Sequence, residues 1–296
     1  MDVMESQGSS RQAWASDQYE LLDCGHGWKL ERFAGRVIQR PSPAATGKSQ
    51  LPVTRWQPDD SIGMEEDADW VHHRPADATW TIRWRGLHMQ LAFTPYGHLG
   101  LFPEHASHWE WLQQQCRRAS LRQPEPSALN LFAYTGGASL AMADAGARVA
   151  HVDSSKPSVA WARLNAQHSL LSDHPIRWLV EDALKFCQRE VRRGSRYHLI
   201  VLDPPAYGHG PDGKRWQLDR DLPTLLDSIG ELWADEPSGF LISGHGDENQ
   251  VARMVRDSVS GWGSTFRSGW QSGRSMLSGS NFVSLDAGFW IRWSPK

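Results

Sequence analysis

The sequence predicts an α/β protein in which a mostly parallel sheet with flanking helices follows a small β-rich N-terminal domain. From residue 129 onwards, short apolar runs alternate with helix-favouring segments, the pattern of parallel strands joined by helical crossovers. Before residue 105, short segments alternate polar and apolar residues, which is typical of antiparallel strands. The predicted division is a disordered tail over 1–15, an accessory domain over 16–105 and an α/β domain over 106–296.

The accessory domain is predicted to contain two groups of antiparallel strands. YELLDCGHGWKLERF, which begins at Tyr19, consists of two alternating runs joined by residues 25–27 and predicts a hairpin. The stretch 41–58 predicts a loop, and the acidic stretch 59–69 predicts a solvated surface. Residues 79–102 alternate again and predict strands. One face of the first of them would hold Trp80, Ile82 and Trp84, and the other Thr81, Arg83 and Arg85.

The α/β domain opens with LNLFAYTGGASLAMADAGARVAHVD, residues 129–153, which predicts strand, glycine turn, helix and strand. Gly136 and Gly137 allow a sharp turn and a close ligand approach, and Gly146 suits the end of the helix. The turn lies at the carboxyl ends of the strands, where open α/β sheets bind ligands, and Asp153 there can accept hydrogen bonds from ribose hydroxyls. The stretch predicts a site for a nucleotide-like ligand, with a buried unit that binds none as the alternative.

The remainder of the α/β domain continues this alternation. The predicted helices cover residues 108–119, 156–169, 182–193, 219–233 and 247–258. The predicted strands cover residues 176–181, 197–203 and 239–243, and residues 264–270 and 287–293 are predicted to form a closing antiparallel pair.

Composition limits the class of protein. The chain has 296 residues, 40% hydrophobic and 22% charged, with a net charge of −3, which is typical of a soluble globular protein. No apolar run is long enough to span a bilayer and the N-terminus lacks a signal-peptide core, so we expect no membrane partner and a cytoplasmic location. The near-neutral charge disfavours a strongly electrostatic nucleic-acid binder but allows an enzyme with one local basic face.

The cysteines and histidines predict neither a disulfide framework nor a metal site. The widely separated cysteines, which we interpret as packed thiols, are Cys24, Cys116 and Cys187. Glu104, His105 and His108 are close in sequence, but no further cluster supports them, so no metal is predicted. Most of the 16 tryptophans are predicted to be core residues, with base stacking as the alternative for some.

A second stretch, YHLIVLDPPAYGHG over residues 197–210, indicates the chemistry. Its prolines fix φ and remove backbone donors, so the loop offers carbonyl acceptors, while Asp203 can accept a proton and Tyr207 can stack on a planar base. Methyl transfer from a sulfonium needs such positioning but no protonation of the leaving group. Because the first stretch lacks GxGxxG, a nicotinamide dinucleotide is disfavoured. Together the stretches predict S-adenosylmethionine (SAM) as the cofactor.

The motifs NLFAYTGGASL, VDSSKPSVAWARLNAQ, EDALKF and VLDPPAYGHGP occur in this order within residues 90–296. In this combination the chain resembles class I SAM-dependent methyltransferases. More narrowly, it resembles the group that contains bacterial large-subunit ribosomal RNA methyltransferases, whose members carry a small β-rich N-terminal domain. The resemblance implies a Rossmann-like sheet of seven strands, mostly parallel with an antiparallel last strand, that binds SAM and releases S-adenosylhomocysteine. It also implies RNA, most narrowly ribosomal RNA, as the partner.

The resemblance further implies roles for single residues. The methionine moiety and the ribose would be lined by Phe132, Ala133, Tyr134, Thr135, Gly136 and Gly137. Asp153 would hold the ribose hydroxyls, Ser154 and Ser155 would flank the adenine, and Asp182 with Ala183 would contact its amino group. The residues that face the methyl group and the substrate would be Asp203, Pro204, Pro205 and Tyr207. In the loop that follows, the candidate substrate contacts are His209, Lys214 and Arg215, with a solvated surface loop as the alternative.

A difference from the related cytosine-C5 methyltransferases restricts the choice of the atom that is methylated. Those enzymes need a cysteine nucleophile after the fifth strand, because C5 must be activated by covalent addition at C6. Here that place holds Ser243, Gly244 and His245. We therefore predict methylation of a nitrogen or oxygen of an RNA base. The alternatives are a small-molecule or protein acceptor, a nicotinamide-dependent oxidoreductase, and a non-catalytic RNA-binding protein.

Overall fold

The computed structural model describes residues 5–6, 13–65, 67–209 and 215–296. Within this described part the chain forms two compact units. The α/β unit comprises residues 5–6, 108–274 and 288–296, and the β-rich unit comprises residues 13–107 and 275–287. Of the tail predicted over 1–15, residues 1–4 and 7–12 lie outside the described residues, whereas Trp14 is buried and donates to the Pro103 carbonyl at 2.9 Å.

The strands up to residue 105, apart from the first, form most of the β-rich unit, and the first belongs to the α/β unit. In chain order they are β1 (Glu5–Ser6), β2 (Tyr19–Gly25), β3 (Trp28–Phe33), β4 (Arg36–Pro41), β5 (Asp60–Ile62), β6 (Trp70–His72), β7 (Thr79–Trp84) and β8 (Leu87–Ala92). Short 3-10 helices cover Val53–Arg55 and Pro103–His105. Strands β2 to β6 form one sheet in sequence order, in which β5 runs parallel to β4, and β7 and β8 form a separate hairpin.

The predicted strand pattern of this unit is confirmed. Strands β2 and β3 form the hairpin predicted around residues 25–27, and β4 adds a third antiparallel strand. The β3–β4 turn consists of Ala34 and Gly35, both with positive φ (47° and 90°), which matches the twist of the flanking strands. In β7, Ile82 and Trp84 are buried and the residues that alternate with them are exposed, as the period of two predicts.

The prediction that residues 59–69 form a solvated surface is wrong for Asp59 and Asp60. Asp59 and Asp60 are buried. The Arg36 side chain donates to both oxygens of Asp60 at 2.8 and 2.9 Å, and the Val37 amide donates to Asp59 at 2.9 Å. A buried carboxylate is tolerated where such donors replace water, so Asp59 and Asp60, the first residue of β5, lie in the interior instead of facing solvent.

A buried group of charges lies inside the β2–β3–β4 sheet. Glu31 is fully buried, and it accepts from Arg40 Nε at 2.6 Å and from the Tyr19 hydroxyl at 2.9 Å, with Lys29 Nζ at 3.3 Å. Burial by itself raises the pKa of Glu31, but the charges of Arg40 and Lys29 outweigh it and lower the pKa to about 2. The carboxylate is therefore the ionised centre on which two buried cations depend.

The later part of the chain supplies the remaining elements. Its helices are α1 (Ala106–Ser120), α2 (Gly137–Asp144), α3 (Lys156–His168), α4 (Ala183–Arg192), α5 (Leu218–Gly230) and α6 (Glu248–Val259). Its strands are β9 (Ser127–Leu131), β10 (Arg148–Asp153), β11 (Ile176–Val180), β12 (Leu199–Leu202), β13 (Tyr207–His209), β14 (Arg215–Gln217), β15 (Gly239–Gly244), β16 (Trp270–Ser278) and β17 (Ser284–Trp293). A 3-10 helix covers Ser264–Arg267.

The predicted fold class is confirmed by the main sheet, whose order is β1-β16-β17-β15-β12-β9-β10-β11. Strands β9, β10, β11, β12 and β15 are parallel, and β17 is antiparallel to β15. The two-residue β1 adds to the β16 edge of the seven predicted strands. Right-handed crossovers between parallel strands bring their carboxyl ends to one edge of the sheet.

The closing strand pair begins later than predicted. Residues 264–270 were expected to be a strand, but the 3-10 helix occupies their start and β16 begins only at Trp270. Gly263 and Gly269, with φ of 106° and 94°, bound this segment. Between them Phe266 is buried, with its ring 4.9 Å from that of Trp233. Burial of this ring in an aromatic cluster overrides the strand preference of the local sequence.

The core contains most of the large rings, as predicted. Ten of the 16 tryptophans are buried and the other six are half-buried, so base stacking by an exposed tryptophan has no support. Cys116 and Cys187 are buried thiols, and burial raises the pKa of Cys116 to about 12, which keeps it unreactive. Among the described residues, no helix is both long and apolar enough to cross a bilayer.

Candidate active site

A pocket lies at the carboxyl edge of the sheet, where β9, β10, β11 and β12 end. It is lined by Phe132, Val152, Asp153, Ser154, Glu181, Asp182, Ala183, Pro205, Gly208 and Trp216. Six of these were singled out from the sequence, and they come from four different strand ends. Within the described residues no group of three histidine, cysteine or carboxylate side chains could hold a metal. The lining residues offer a ligand aromatic rings, from Phe132 and Trp216, and the carboxylates of Asp153, Asp182 and Glu181.

The turn after β9 is held in an unusual backbone conformation. Phe132, Tyr134 and Gly136 all have left-handed φ, of 55°, 49° and 91°. For the two aromatic residues this conformation costs roughly 1–3 kcal/mol each, so neighbouring contacts must stabilise it. The Ala133 amide donates to the Val152 carbonyl at 3.1 Å, which ties the turn to the end of β10.

Asp153 is the group that joins the turn to α3. One carboxylate oxygen accepts from the Tyr134 amide at 2.7 Å and the other from the Ser155 amide at 2.8 Å. Burial raises the pKa of Asp153, and these two backbone donors oppose the rise. A carboxylate offers about four acceptor positions, so two remain for hydroxyl groups of a ligand. The two hydroxyl groups of a ribose could donate to these two positions.

Gly137, the first residue of α2, is needed because Trp109 of α1 packs against it. A Cβ at Gly137 would lie 2.4 Å from Trp109 Cζ2, and Trp109 is itself buried. We expect Gly137→Ala to lower the free energy of unfolding by about 1–3 kcal/mol, the usual cost of overpacking, and to weaken SAM binding because the turn is displaced. Chemical denaturation and cofactor titration measure the two effects.

The matched control for Gly137→Ala is Gly86→Ala, since a Cβ at Gly86 would meet nothing within 4 Å. Adding Trp109→Leu to Gly137→Ala should restore part of the lost affinity by making room. Equal stability of the Gly137 and Gly86 variants would contradict the packing argument.

Beneath the turn, a buried polar chain runs through three elements. Asn130 donates to the Ser139 hydroxyl oxygen at 2.9 Å, and the same oxygen forms a hydrogen bond with His151 Nδ1 at 3.0 Å. His151 Nε2 is buried and has no hydrogen-bond partner in the described part of the chain. Burial, with a smaller effect of the Arg163 charge, lowers the pKa of His151 to about 3.

His151 is expected to make the fold sensitive to acid. The folded-state pKa of about 3 lies below the ordinary 6.5, so the unfolded chain takes up the proton first as the pH falls. As the pH falls from 6.5 to 3, His151 alone should lower the free energy of unfolding by up to about 1.4 kcal/mol per pH unit. Urea unfolding at a series of pH values checks this. His151→Gln, uncharged throughout, should show a shallower pH slope, and an unchanged slope would refute the assignment.

The turn after β11 presents two carboxylates. Asp182 caps α4 by accepting from the Lys185 amide at 2.9 Å, and Ala183 begins the helix beside the pocket. Glu181 also lines the pocket and pairs with Arg189. Glu181 was not predicted as a site residue, although its place directly after β11 and before Asp182 is a signal that the sequence contains.

The loop after β12 carries the predicted reaction residues. Asp203 accepts from the Ser243 hydroxyl at 2.8 Å, and Ser243 lies at the end of the adjacent strand β15. The Pro205 carbonyl accepts from Trp216 Nε1 at 2.7 Å, and the Trp216 ring lies 4.8 Å from that of Phe132. The carbonyl of Pro205 thus orders the β13–β14 hairpin. No local pattern pointed to Trp216 or to the contact between Ser243 and Asp203.

The predicted substrate contacts are only partly described. Tyr207 is 76% exposed at the start of β13, and Arg215 is exposed at the start of β14. The His209 side chain and Lys214 lie outside the described residues. Their role in substrate binding stays a prediction.

Known proteins resemble this chain in sequence and in structure. The model of the family described as S-adenosylmethionine-dependent methyltransferase matches residues 29–249. The crystal structure of the SAM-dependent methyltransferase from Agrobacterium tumefaciens is similar over 99% of this chain and 93% of that chain, with 33% identity and a TM-score of 0.86. The crystal structure of SMU.776, complexed with SAH, is similar over 93% of this chain and 75% of that chain, with 14% identity and a TM-score of 0.67. At this identity the similarity supports the fold alone.

Curated relatives carry the name ribosomal RNA large subunit methyltransferase K/L. The protein of that name from Methylococcus capsulatus is 30% identical over 218 residues, which is 71% of this chain. The one from Magnetococcus marinus is 28% identical over 160 residues, which is 53% of this chain. The chain spans only 27% and 20% of the lengths of these two relatives.

Proposed function

Since the chain belongs to the SAM-dependent methyltransferase family, whose model matches residues 29–249, we propose that it methylates a nitrogen or oxygen of an RNA base. The pocket supports this proposal: Asp153 accepts from two backbone amides and can also accept from a ribose diol, and the Asp182 and Glu181 carboxylates line the same pocket and can accept from an adenine amino group. When bound there, SAM supplies an electrophilic methyl group on a neutral leaving group.

The residues of the chain then have to position the acceptor and receive its proton. Asp203 is the candidate base, because it lies in the loop after β12, accepts from the Ser243 hydroxyl at 2.8 Å, and carries a carboxylate that can take up a proton from an N–H or O–H group of the substrate. Trp216 fixes Pro205 and so holds the rim of the pocket in one arrangement. Such positioning is the main contribution a methyltransferase has to make.

The Asp203–Ser243 pair is the observation that carries the choice of acceptor atom. A serine hydroxyl stands where a cytosine-C5 enzyme would need a thiol nucleophile, and it is engaged in positioning a base. RNA as the acceptor is supported by the names of the curated relatives and by Tyr207, an exposed ring two residues beyond the motif that can stack on a base. A ribosomal RNA substrate also agrees with a cytoplasmic location.

Two measurements test this proposal. SAM or its demethylated product at 100 times its dissociation constant should stabilise the fold by about 2.7 kcal/mol, and NAD should not. Mass spectrometry of ribosomal RNA nucleosides from cells with and without the gene should then reveal one methylated nitrogen or oxygen that depends on the gene. A gene-dependent 5-methylcytosine would overturn the choice of atom, and unchanged nucleosides would overturn ribosomal RNA as the substrate.

A further inference from the structure

Arg292 of β17 is enclosed by two tryptophan rings in the α/β unit. Its guanidinium carbon lies 4.5 Å from the ring centre of Trp290 and 5.3 Å from that of Trp111 in α1. Its Nε donates to Gln271 Oε1 of β16 at 2.9 Å. The side chain is thus held by contacts with two rings and by a hydrogen bond at its Nε, which restrict its orientation before any ligand arrives.

The neighbouring strands are adapted to this cage. A Cβ on Gly273 of β16 would lie 2.7 Å from Trp290, and a Cβ on Gly239 of β15 would lie 3.0 Å from Trp111. A side chain at Gly273 would collide with the Trp290 ring, so this ring depends on glycine at that position. A side chain at Gly239 would press against Trp111 and, more closely, against Leu199 at 2.8 Å.

Among the side chains that the structure describes, no carboxylate pairs with Arg292, and its two Nη groups make no hydrogen bond with them. Burial lowers the pKa of Arg292 to about 10, with no opposing effect of a nearby acid. Arg36 and Arg40, by contrast, each meet a carboxylate. A desolvated cation without an anion is costly, and the two rings compensate only part of that cost.

We propose that the Arg292 cage binds a phosphate group of the RNA backbone through the two Nη donors. A planar fork of two parallel N–H groups matches two phosphate oxygens, and the contacts with Trp290 and Trp111 restrict the orientation of that plane. The anion supplies the missing counter-charge. The RNA part rests on the proposed function, whereas recognition of a phosphate group rests on the cage alone.

The first test measures binding of a fluorescent ribosomal RNA oligonucleotide at several KCl concentrations. We expect Arg292→Gln to weaken binding about tenfold and to reduce the salt slope by about 0.7–0.9, the loss of one phosphate contact. Arg292→Lys keeps the charge without the fork and should recover only part of the affinity. The matched control is Arg267→Gln, an exposed arginine with the same change of charge, which should stay within about twofold. Equal affinities of the Arg292→Gln and Arg267→Gln variants would overturn the proposal.

The second test separates the cage from the proposed RNA function. The ¹⁵N resonance of Arg292 Nε is assigned by its absence from the Arg292→Gln spectrum and followed on addition of inorganic phosphate and of the oligonucleotide. Shifts with both support the proposal as stated. A shift with phosphate while the wild-type protein binds no RNA would support the anion site and refute RNA as its source. No shift with either would refute the site.

Discussion

Asp203→Asn is expected to lower the rate of methyl transfer by at least about a hundredfold, while the dissociation constant for SAM changes only a fewfold. The amide keeps the shape of the carboxylate and can still interact with Ser243, but it cannot take up the proton of the acceptor. Asp203 and Ser243 are 2.8 Å apart at the ends of adjacent strands, so the substitution alters the charge with little change of backbone. Single-turnover methylation and calorimetric SAM titration separate the two quantities.

The matched variant for this experiment is Ser243→Ala. It leaves the carboxylate in place and removes the hydroxyl that orients it, so we expect a smaller loss of about tenfold, in line with one hydrogen bond to a charged group. Methyl transfer by Asp203→Asn within threefold of the wild type would show that Asp203 is not the proton acceptor. A larger loss from Ser243→Ala than from Asp203→Asn would make the serine the more important group.

Glu31→Gln is expected to lower the free energy of unfolding by about 3–5 kcal/mol, the usual cost of breaking a buried ion pair. Lys29 and Arg40 would remain buried close together without the carboxylate that both contact. The Tyr19 hydroxyl would also lose its charged acceptor at 2.9 Å. Urea denaturation followed by tryptophan fluorescence measures the change, because the core holds most of the tryptophans.

Glu236→Gln is the appropriate control for the Glu31 variant. Its side chain is 65% exposed and lies 3.8 Å from the exposed Arg122, so its loss should change stability by less than about 0.5 kcal/mol. A Glu31→Gln protein as stable as the control would contradict the view that this carboxylate holds the buried cations. Replacing Lys29 by Met in the Glu31→Gln background should recover part of the stability, since one unpaired charge is then removed.

Much of the α/β unit was predictable because its signals are local. A glycine turn after an apolar run ends β9, and Asp182 caps α4 within three residues of its partner. The start of β16 was not predictable, because burial of Phe266 against Trp233 depends on packing between distant segments. Asp60 was assigned to the surface for the same reason: its partner Arg36 lies 24 residues earlier.

The sequence by itself determined which residues stand at the carboxyl ends of the strands: Asp153, Asp182 and Asp203. It did so because strand period, turn glycines and the handedness of parallel crossovers are local or general properties. Only the tertiary structure decided which side chains Asp203 and Arg292 contact. Ser243 reaches Asp203 from 40 residues away, and the walls of the Arg292 cage come from α1 and β17. Such contacts are set by packing between elements, and no short stretch of sequence encodes them.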